Sequence, residues 1–155
     1  MSRECFVVNK KDHQSFSSEL DRLGRLSAEA QNLSHPITSW EKLAADTVIL
    51  LLEDKRPTGF LRWGYRDLYL TPDPITTPLK LYKRVFCVLD FFVEHQRQGR
   101  GTFLMDSLVK ENRITSIAFD RPSTKLVPFL KSKYSLTDLI PQPNKFVISR
   151  QFFYT

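Results

Sequence analysis

Cysteine, glycine and long apolar runs are scarce in this sequence. Its 155 residues include two cysteines, Cys5 and Cys87, and five glycines. Two cysteines far apart and in unlike contexts provide neither a disulfide framework nor a zinc site, and they favour a reducing intracellular setting. No run of about 18 apolar residues occurs, so no transmembrane helix is expected. The first ten residues hold no apolar stretch of signal-peptide length, so no secretory leader is expected.

The composition is nevertheless that of a chain with a folded core. Apolar residues make up 41% of the chain and include 12 phenylalanines, and such aromatic content argues against disorder. The length suits one compact domain that covers residues 1–155. The three histidines, His13, His35 and His95, are not spaced as metal ligands, so no metal site is predicted.

The charge balance is basic, with 23 Lys and Arg against 17 Asp and Glu and a formal net charge of +6. Such a balance favours an acidic partner or an anionic ligand. Nucleic acid, an acidic protein surface and a phosphorylated cofactor all fit it, and so does a basic domain with no such partner. Charge alone therefore does not choose the function.

Hydrophobic periodicity predicts the elements of the first half of the chain. Residues 5–9 form a short apolar run typical of an edge strand. Residues 15–33 carry apolar side chains at spacings of three and four, which predicts a helix that ends before Pro36, and residues 39–45 suggest a second short helix. Residues 47–53 read as a buried strand, and residues 59–65 and 68–70 as a strand and its hairpin partner.

The second half continues with mixed helices and strands. Residues 71–78 contain three prolines and are expected to form a loop. The strongest strand pattern covers residues 82–93, and shorter strands are expected at 117–119 and 146–153. Helices are predicted over residues 101–112 and 123–133. Strands and helices in this order predict an α/β fold, with a mixed α+β sheet around one core.

The segment Q-R-Q-G-R-G at residues 96–101 is the clearest chemical feature of the sequence. It follows the longest strand pattern directly and opens a helix. Glycine permits positive φ and close approach of an anion to the backbone. The first N–H groups of a helix have no internal partner and lie at the positive end of its dipole, which suits a pyrophosphate. Arg97 and Arg100 are expected to add charge at the rim. A glycine-rich turn without a ligand is the alternative.

The motif Q-x-x-G-x-G resembles the cofactor loop of the GNAT acetyltransferases. Four further stretches resemble the α-tubulin N-acetyltransferases of that superfamily and occur in the same order as in that family. They are AQNLSHPIT at 30–38, CVLDFFV at 87–93, AFDRPSTKLVPFLKSKY at 118–134 and PQPNKFV at 141–147. Together the pieces span nearly the whole chain.

The resemblance implies a single-domain GNAT fold and direct transfer of an acetyl group from acetyl-CoA to a lysine in the luminal loop of α-tubulin in microtubules. It implies a cytoplasmic, cytoskeletal protein, with the cilium or flagellum as a more specific location. We expect a monomer with no nucleic-acid or membrane partner. The implied cofactor-binding residues are Phe91, Phe92, Val93, Gln96, Arg97, Gln98, Gly99, Arg100, Gly101, Thr102, Ser123 and Lys125.

One position of the cofactor helix departs from the family pattern. Where the family usually has a lysine, this chain has Ser132, flanked by Lys131 and Lys133. Either flanking lysine could supply the contact to a phosphate of CoA, and we include Lys131 and Ser132 among the cofactor-binding candidates. Pro128 lies in the same helix and is expected to kink it unless it falls in the first turn.

The resemblance also implies a catalytic set of Asp120, Cys87 and Gln31, with Gln31 and Phe146 binding the substrate. Each residue has a structural alternative. Asp120 precedes Arg-Pro-Ser and could be only a helix N-cap. Cys87 lies mid-strand among apolar residues and could be a small core residue. Gln31 could be an ordinary residue of a helix surface.

The competing functional class is a non-catalytic basic module that coats microtubules or nucleic acid. The stretch FLRWGYR at residues 60–66 interleaves aromatic and basic side chains, as base-stacking surfaces do. Its alternation is explained more simply by a strand with one buried face. A coat protein has no need of the loop at residues 96–101, so that loop discriminates between the two classes.

Overall fold

The computed structural model describes residues 2–96 and 98–154. Seven strands and three α-helices lie within them. The strands are β1 (Arg3–Val8), β2 (Thr47–Glu53), β3 (Arg56–Leu70), β4 (Lys80–Val93), β5 (Ala118–Asp120), β6 (Leu139–Pro141) and β7 (Phe146–Ser149). The helices are α1 (Ser17–Ala30), α2 (Arg100–Val109) and α3 (Leu126–Tyr134). Short 3-10 turns cover Gln14–Phe16, Glu41–Leu43, Ile114–Ser116 and Arg150–Tyr154.

The strands form a mixed sheet in the order β1-β2-β3-β4-β5-β7-β6. Strands β1, β2 and β3 pair antiparallel, as do β5, β7 and β6, whereas β4 and β5 run parallel. This mixed sheet with its helices confirms the predicted α/β class. Two registers matter for the site: Arg3 lies opposite Glu53, and Asp120 lies opposite Phe146.

The chain divides into two compact units. The first comprises the chain up to Gly64 together with Asp90–Leu108, and the second comprises Tyr65–Leu89 and the chain from Val109 onward. The prediction of one domain over residues 1–155 stays a prediction.

The core of the first unit joins α1 to strands β1, β2 and β3. Helix α1 buries Leu20 and Leu23, whose spacing of three places them on one face. Every residue of β2 after Thr47 is buried, which explains its continuous apolar sequence. The main buried members of this core are Val8, Leu20, Leu23, Leu43, Val48, Leu50, Leu52 and Phe60.

The core of the second unit is formed by side chains from strands of the sheet, with two phenylalanines near the end of the chain packed against them. Phe152 and Phe153 stack edge to face on Tyr82, with ring centroids 5.3 and 5.7 Å away, and so pack the last turn against β4. The buried members of this core are Leu68, Leu70, Val85, Cys87, Leu89, Ala118, Phe146 and Ile148.

Several predicted elements differ from the structure in informative ways. The proposed hairpin over 59–70 is wrong, because β3 continues through Arg66 and Asp67 with Leu68 and Leu70 still buried on alternate positions. The second helix is only the 3-10 turn Glu41–Leu43. The strand predicted over 146–153 ends at Ser149, and β6 was not predicted, since three residues that end in proline give no periodic signal.

Candidate active site

The loop between β4 and α2 contains two residues with left-handed backbone conformations. Strand β4 ends at Val93 and α2 begins at Arg100. His95 and Gly99 both adopt positive φ, of 49° and 73°, and left-handed residues of this kind occur in the backbone nests that bind anions. Among the described residues, a Cβ at Gly99 would meet Arg3 Nη1 at 3.5 Å, an ordinary contact, so its φ rather than lack of space favours glycine.

Arg100 does not lie at the rim of this loop, and that prediction is wrong. Its side chain is buried, with the residue 9% exposed, and forms an ion pair with Glu53. Its Nη1 donates to the carbonyl oxygens of Glu94 and His95, at 2.7 and 3.4 Å. The guanidinium therefore faces the protein and holds the loop from beneath. Arg97, the other predicted rim charge, lies outside the described residues.

The other predicted cofactor residues of the first unit lie along this same segment. Phe91, Phe92 and Val93 are half-buried at the end of β4, Gln96, Gln98 and Gly99 are exposed, and Gly101 and Thr102 are half-buried in the first turn of α2. Glu94, which was not predicted, is buried between Arg22 at 2.5 Å and Arg56 at 3.3 Å. Its ion pairs fix the point where the chain leaves β4.

Gln31 sits at a helix end that the backbone fixes. The N–H groups of Leu33 and Asn32 donate to the carbonyls of Ala28 and Glu29, and Asn32 has a φ of 60°. This is a Schellman ending with the left-handed residue just past the helix. It stops α1 three residues before the predicted end, with Gln31 as the C-cap.

The side chain of Gln31 reaches a buried carboxylate that sequence reasoning missed. Asp90 accepts hydrogen bonds from Ser27 Oγ at 2.9 Å, Thr38 Oγ1 at 2.8 Å and Gln31 Nε2 at 3.4 Å. Burial raises the pKa of Asp90 above its ordinary value, and these donors with the N–H of Phe91 only partly oppose that effect. The two family-like stretches at 30–38 and 87–93 therefore meet at Asp90.

Arg62 holds the segment that carries Thr38. Its guanidinium pairs with Asp46 at 2.8 Å and donates to the carbonyls of Ile37 and Lys42, both at 2.9 Å. Helix α1 packs tightly against the same segment, since a Cβ at Gly24 would lie 1.9 Å from the carbonyl oxygen of Thr38. Gly24 therefore cannot be replaced without moving this segment, and with it the Asp90 hydrogen bonds.

Cys87, in the second unit, lies in the core of β4. It is fully buried, its thiol donates to the carbonyl of Val85 at 3.3 Å, and it lies opposite Ala118 of β5. A thiol in that position has no open face toward a substrate. The placement favours the core interpretation, and a catalytic role for Cys87 stays a prediction.

Asp120 ends β5 with a partly exposed carboxylate. It lies beside Phe146 on β7, and Arg121 Nε is 4.0 Å from its Oδ1, an exposed pair of small energetic value. The alternative that Asp120 caps the following helix is wrong, because α3 begins at Leu126 with Lys125 as its N-cap. Its position is therefore not explained by helix capping. Pro128 falls in the first turn of α3, where its missing N–H is tolerated.

The residues that directly follow Asp120 in the chain line an open groove of about 630 Å³. It includes the predicted Ser123, and two exposed cations, Arg121 and Lys145, give it positive charge. Sequence reasoning did not single out Arg121, although its place next to Asp120 was the available signal. Lys125 caps α3, and Lys131 and Ser132 are exposed in its last turn. The residues that line the groove are Arg121, Pro122, Ser123, Thr124, Val127, Lys145 and Val147.

The candidates thus fall into two sets. The first unit holds the loop over 94–102 and Gln31 with its Asp90 network, and the second holds Cys87, Asp120, Phe146 and the groove. In the part of the chain that the structure describes, no group of three or more His, Cys, Asp or Glu side chains is arranged as metal ligands. Among the same residues no helix is both long and apolar enough to span a bilayer.

Two solved acetyltransferases are similar in structure to this chain. The xEco2 acetyltransferase domain bound to a K105-CoA conjugate matches with a TM-score of 0.62 and 12% identity, over 84% of this chain and 86% of that one. An acetyltransferase from Thermus thermophilus matches with a TM-score of 0.60 and 11% identity, over 95% of this chain and 94% of that one. At such identities the likeness shows the fold alone.

Sequence comparison narrows this class. The family model described as GNAT acetyltransferase, Mec-17, matches residues 2–155. An alpha-tubulin N-acetyltransferase from Phytophthora infestans is 37% identical over 164 residues, 90% of this chain and 89% of that protein. Alpha-tubulin N-acetyltransferase 1 of Danio rerio is 38% identical over 86% of this chain and 48% of that protein. The chain belongs to the Mec-17 family of GNAT acetyltransferases.

The relatives differ in length. The chain spans about half the length of alpha-tubulin N-acetyltransferase 1 of Danio rerio and of alpha-tubulin N-acetyltransferase 2 of Drosophila melanogaster, 48% and 50% respectively.

Proposed function

We propose that this chain is an acetyl-CoA-dependent lysine N-acetyltransferase that modifies α-tubulin. Membership of the Mec-17 family supports the reaction class, and the names of the relatives support the substrate. The observation that carries the proposal is the loop at the amino end of α2, with His95 and Gly99 in left-handed conformations. Such a loop presents backbone donors to a phosphorylated ligand.

In this proposal the loop binds the pyrophosphate of acetyl-CoA through backbone N–H groups. The first turn of α2 adds the positive end of a helix dipole. The end of β4, residues 91–93, would lie along the pantetheine arm, and the groove at Ser123 with Arg121 and Lys145 offers positive charge to phosphate or to an acidic acceptor. When bound, acetyl-CoA supplies a thioester that is open to attack by an amine.

The chain must also deal with the proton of the acceptor. A lysine amine has a reference pKa of about 10.4, so it arrives protonated and must lose a proton before it attacks. Asp120 is the carboxylate that we assign to this task or to holding the amine, since it is partly exposed at the end of β5. General base catalysis of this kind contributes about 10²–10⁴-fold.

Gln31 is assigned to the acceptor side together with Phe146. Because Gln31 is fixed by a Schellman ending and by Asp90, its amide is held in one orientation. A rigid donor and acceptor of this kind can orient a substrate backbone before reaction. Cys87 is the alternative route for the proton, and its complete burial makes it the weaker one.

The finer parts of the proposal concern the acceptor and its location. We infer a luminal-loop lysine of α-tubulin in assembled microtubules as the acceptor, with direct transfer in a ternary complex. The enzyme would act as a monomer on the cytoplasmic cytoskeleton, including that of cilia or flagella, without nucleic acid or membrane as partners. The net charge of +6 suits the approach to an acidic polymer.

One experiment separates this proposal from a non-catalytic basic module. The chain is mixed with acetyl-CoA and microtubules, and acetyl-lysine is mapped by mass spectrometry. We expect one α-tubulin lysine to gain acetyl groups with time, and a matched reaction with Asp120→Asn to lag far behind. Microtubules that bind the chain but gain no acetyl-lysine above a protein-free control would contradict the enzyme and favour the module.

A further inference from the structure

A buried carboxylate lies beneath the candidate cofactor loop, far from it in sequence. Glu53, at the end of β2, is 4% exposed. Its Oε2 accepts from Arg3 Nε at 2.7 Å, and its Oε1 accepts from Arg100 Nε and from Thr58 Oγ1, the latter at 2.7 Å. The antiparallel register of β1 and β2 places Arg3 directly opposite Glu53. We call Arg3, Glu53 and Arg100 the loop clamp.

Each arginine of the loop clamp extends past Glu53 to the backbone of the loop. Arg100 Nη1 donates to the carbonyl oxygen of Glu94 at 2.7 Å, where the loop begins. Arg3 Nη2 donates to the carbonyl oxygen of Gln98 at 2.6 Å, just before the loop enters α2. One carboxylate therefore joins the two guanidinium groups that hold the two arms of the loop.

The clamp also fixes where the loop N–H groups point. In a trans peptide the N–H lies opposite the C=O of the preceding residue. With the Glu94 carbonyl turned toward Arg100, the N–H of His95 faces away from the clamp. With the Gln98 carbonyl turned toward Arg3, the N–H of Gly99 does the same. The N–H groups of both left-handed residues are thus aimed away from the loop clamp.

We propose that Glu53 is a positioning residue for acetyl-CoA binding, which acts through Arg3 and Arg100 to hold the loop in its anion-binding conformation. This inference rests on the proposed function of the loop. Glu94, at the start of the loop, is paired separately with Arg22 and Arg56. The loop clamp itself sums to one positive charge, which further favours an anion above it.

The ionisation of Glu53 agrees with this arrangement. Burial acts to raise its pKa, but hydrogen bonds from Thr58, Arg3 and Arg100 outweigh it and hold the pKa below the usual value. The carboxylate is therefore charged at neutral pH. A buried ion pair adds little net stability compared with apolar packing, and its best-supported use is to specify one conformation.

The test compares Glu53→Gln with two matched variants. The side-chain amide of Gln has one acceptor oxygen and an NH₂ group. Because the NH₂ group and a guanidinium are both donors, Gln at this position can accept from only one side of the loop clamp, and one arginine loses its hydrogen bond. Arg3→Lys keeps the charge but has no fork to hold Glu53 and Gln98 together. Asp46→Asn disturbs another buried ion pair of the same unit, with Arg62, that does not touch the loop.

Acetyl-CoA affinity is measured by calorimetry well below the unfolding temperature of each variant. We expect Glu53→Gln and Arg3→Lys to bind about tenfold more weakly or worse, the loss of about one charge-assisted hydrogen bond. Asp46→Asn should lose stability and keep its affinity. Wild-type affinity in Glu53→Gln or in Arg3→Lys would overturn the inference. If Glu53→Gln does not fold, the affinity of Arg3→Lys alone tests the inference.

A second readout needs no ligand. Backbone ¹⁵N relaxation of Gln98 and Gly99 should give order parameters near 0.85 in the wild-type chain and below about 0.6 in Glu53→Gln. Unchanged order parameters would overturn the positioning role even if affinity fell. A wild-type chain with an ordered loop and no acetyl-CoA binding would instead contradict the proposed function, while the relaxation data still decide what Glu53 does.

Discussion

The side-chain amide of Gln31 donates to the buried carboxylate of Asp90, with 3.4 Å between Nε2 and Oδ1. The same oxygen accepts from Ser27 Oγ, and the other from Thr38 Oγ1. One buried acid therefore fixes the end of α1, the segment after it and a candidate acceptor-binding side chain. This relationship has a measurable dependence on pH.

The pKa of Asp90 is raised above its usual 3.8, so the folded state binds its proton more tightly than the unfolded state. Stability from this group is complete below the unfolded pKa and falls as pH rises through the folded pKa. Asp90→Asn is always neutral and should lack this loss. Urea unfolding of both proteins at a series of pH values from 3.8 upward measures it: wild type should lose stability relative to Asp90→Asn as pH rises through the folded pKa. If the unfolding free energies of the two proteins changed in parallel with pH, the raised pKa of Asp90 would be contradicted.

Gly99 should resist replacement because of its backbone. A residue with a side chain pays about 1–2 kcal/mol for left-handed φ, and a β-branched one more. We expect Gly99→Val to relieve this strain by moving the loop and to weaken acetyl-CoA binding about tenfold or more by calorimetry. Lys55→Val, at an exposed turn with a φ of 67°, adds the β-branched part of this strain at a left-handed position away from the loop. It should lower the melting temperature and leave the affinity intact.

If a folded Gly99→Val protein bound acetyl-CoA as tightly as wild type, the loop would not be the phosphate site. If Lys55→Val weakened binding equally, the effect of Gly99→Val would be one of stability.

Asp120→Asn should separate chemistry from structure. Asp120 does not cap α3 and its side chain is 28% exposed, so Asn, which keeps the size of the side chain, should change the melting temperature little, and Ala serves as a second variant. If Asp120 takes the proton or holds the amine, kcat should fall by about 10²-fold or more in both variants, with acetyl-CoA affinity nearly unchanged. Steady-state kinetics with Asp12→Asn, an exposed carboxylate, give the control. A fully active Asp120→Asn protein would end the proposed role.

Cys87→Ala tests the two interpretations of that residue. Removing a buried thiol from a packed strand should cost on the order of 1 kcal/mol of unfolding free energy. We expect turnover within about twofold of wild type, because Cys87 is fully buried. Cys5→Ala, on β1, is the matched control. A loss of about 10²-fold in kcat with a stable fold would instead support a reacting thiol.

The local elements were readable from the sequence because their signals are local. Strand β2 matches its prediction from Thr47 to Glu53, since a continuous apolar run reports burial on both faces. The strand, loop and helix at residues 80–109 follow from a β pattern, glycines and an apolar helical face in succession. The stretches that resemble known acetyltransferases are likewise contiguous, so the family could be inferred before the fold.

Contacts between distant residues were decided only by the tertiary structure. The direction of Arg100 depends on Glu53, 47 residues earlier in the chain, and on the register that sets Arg3 opposite it. The partner of Gln31 is Asp90, on another strand. Asp120 was interpreted as a possible helix cap from the residues that follow it, but the sequence does not show that α3 begins only at Leu126. Hydrogen bonds and ion pairs act over about 3 Å in space, and a linear pattern carries no record of which distant groups the fold brings that close.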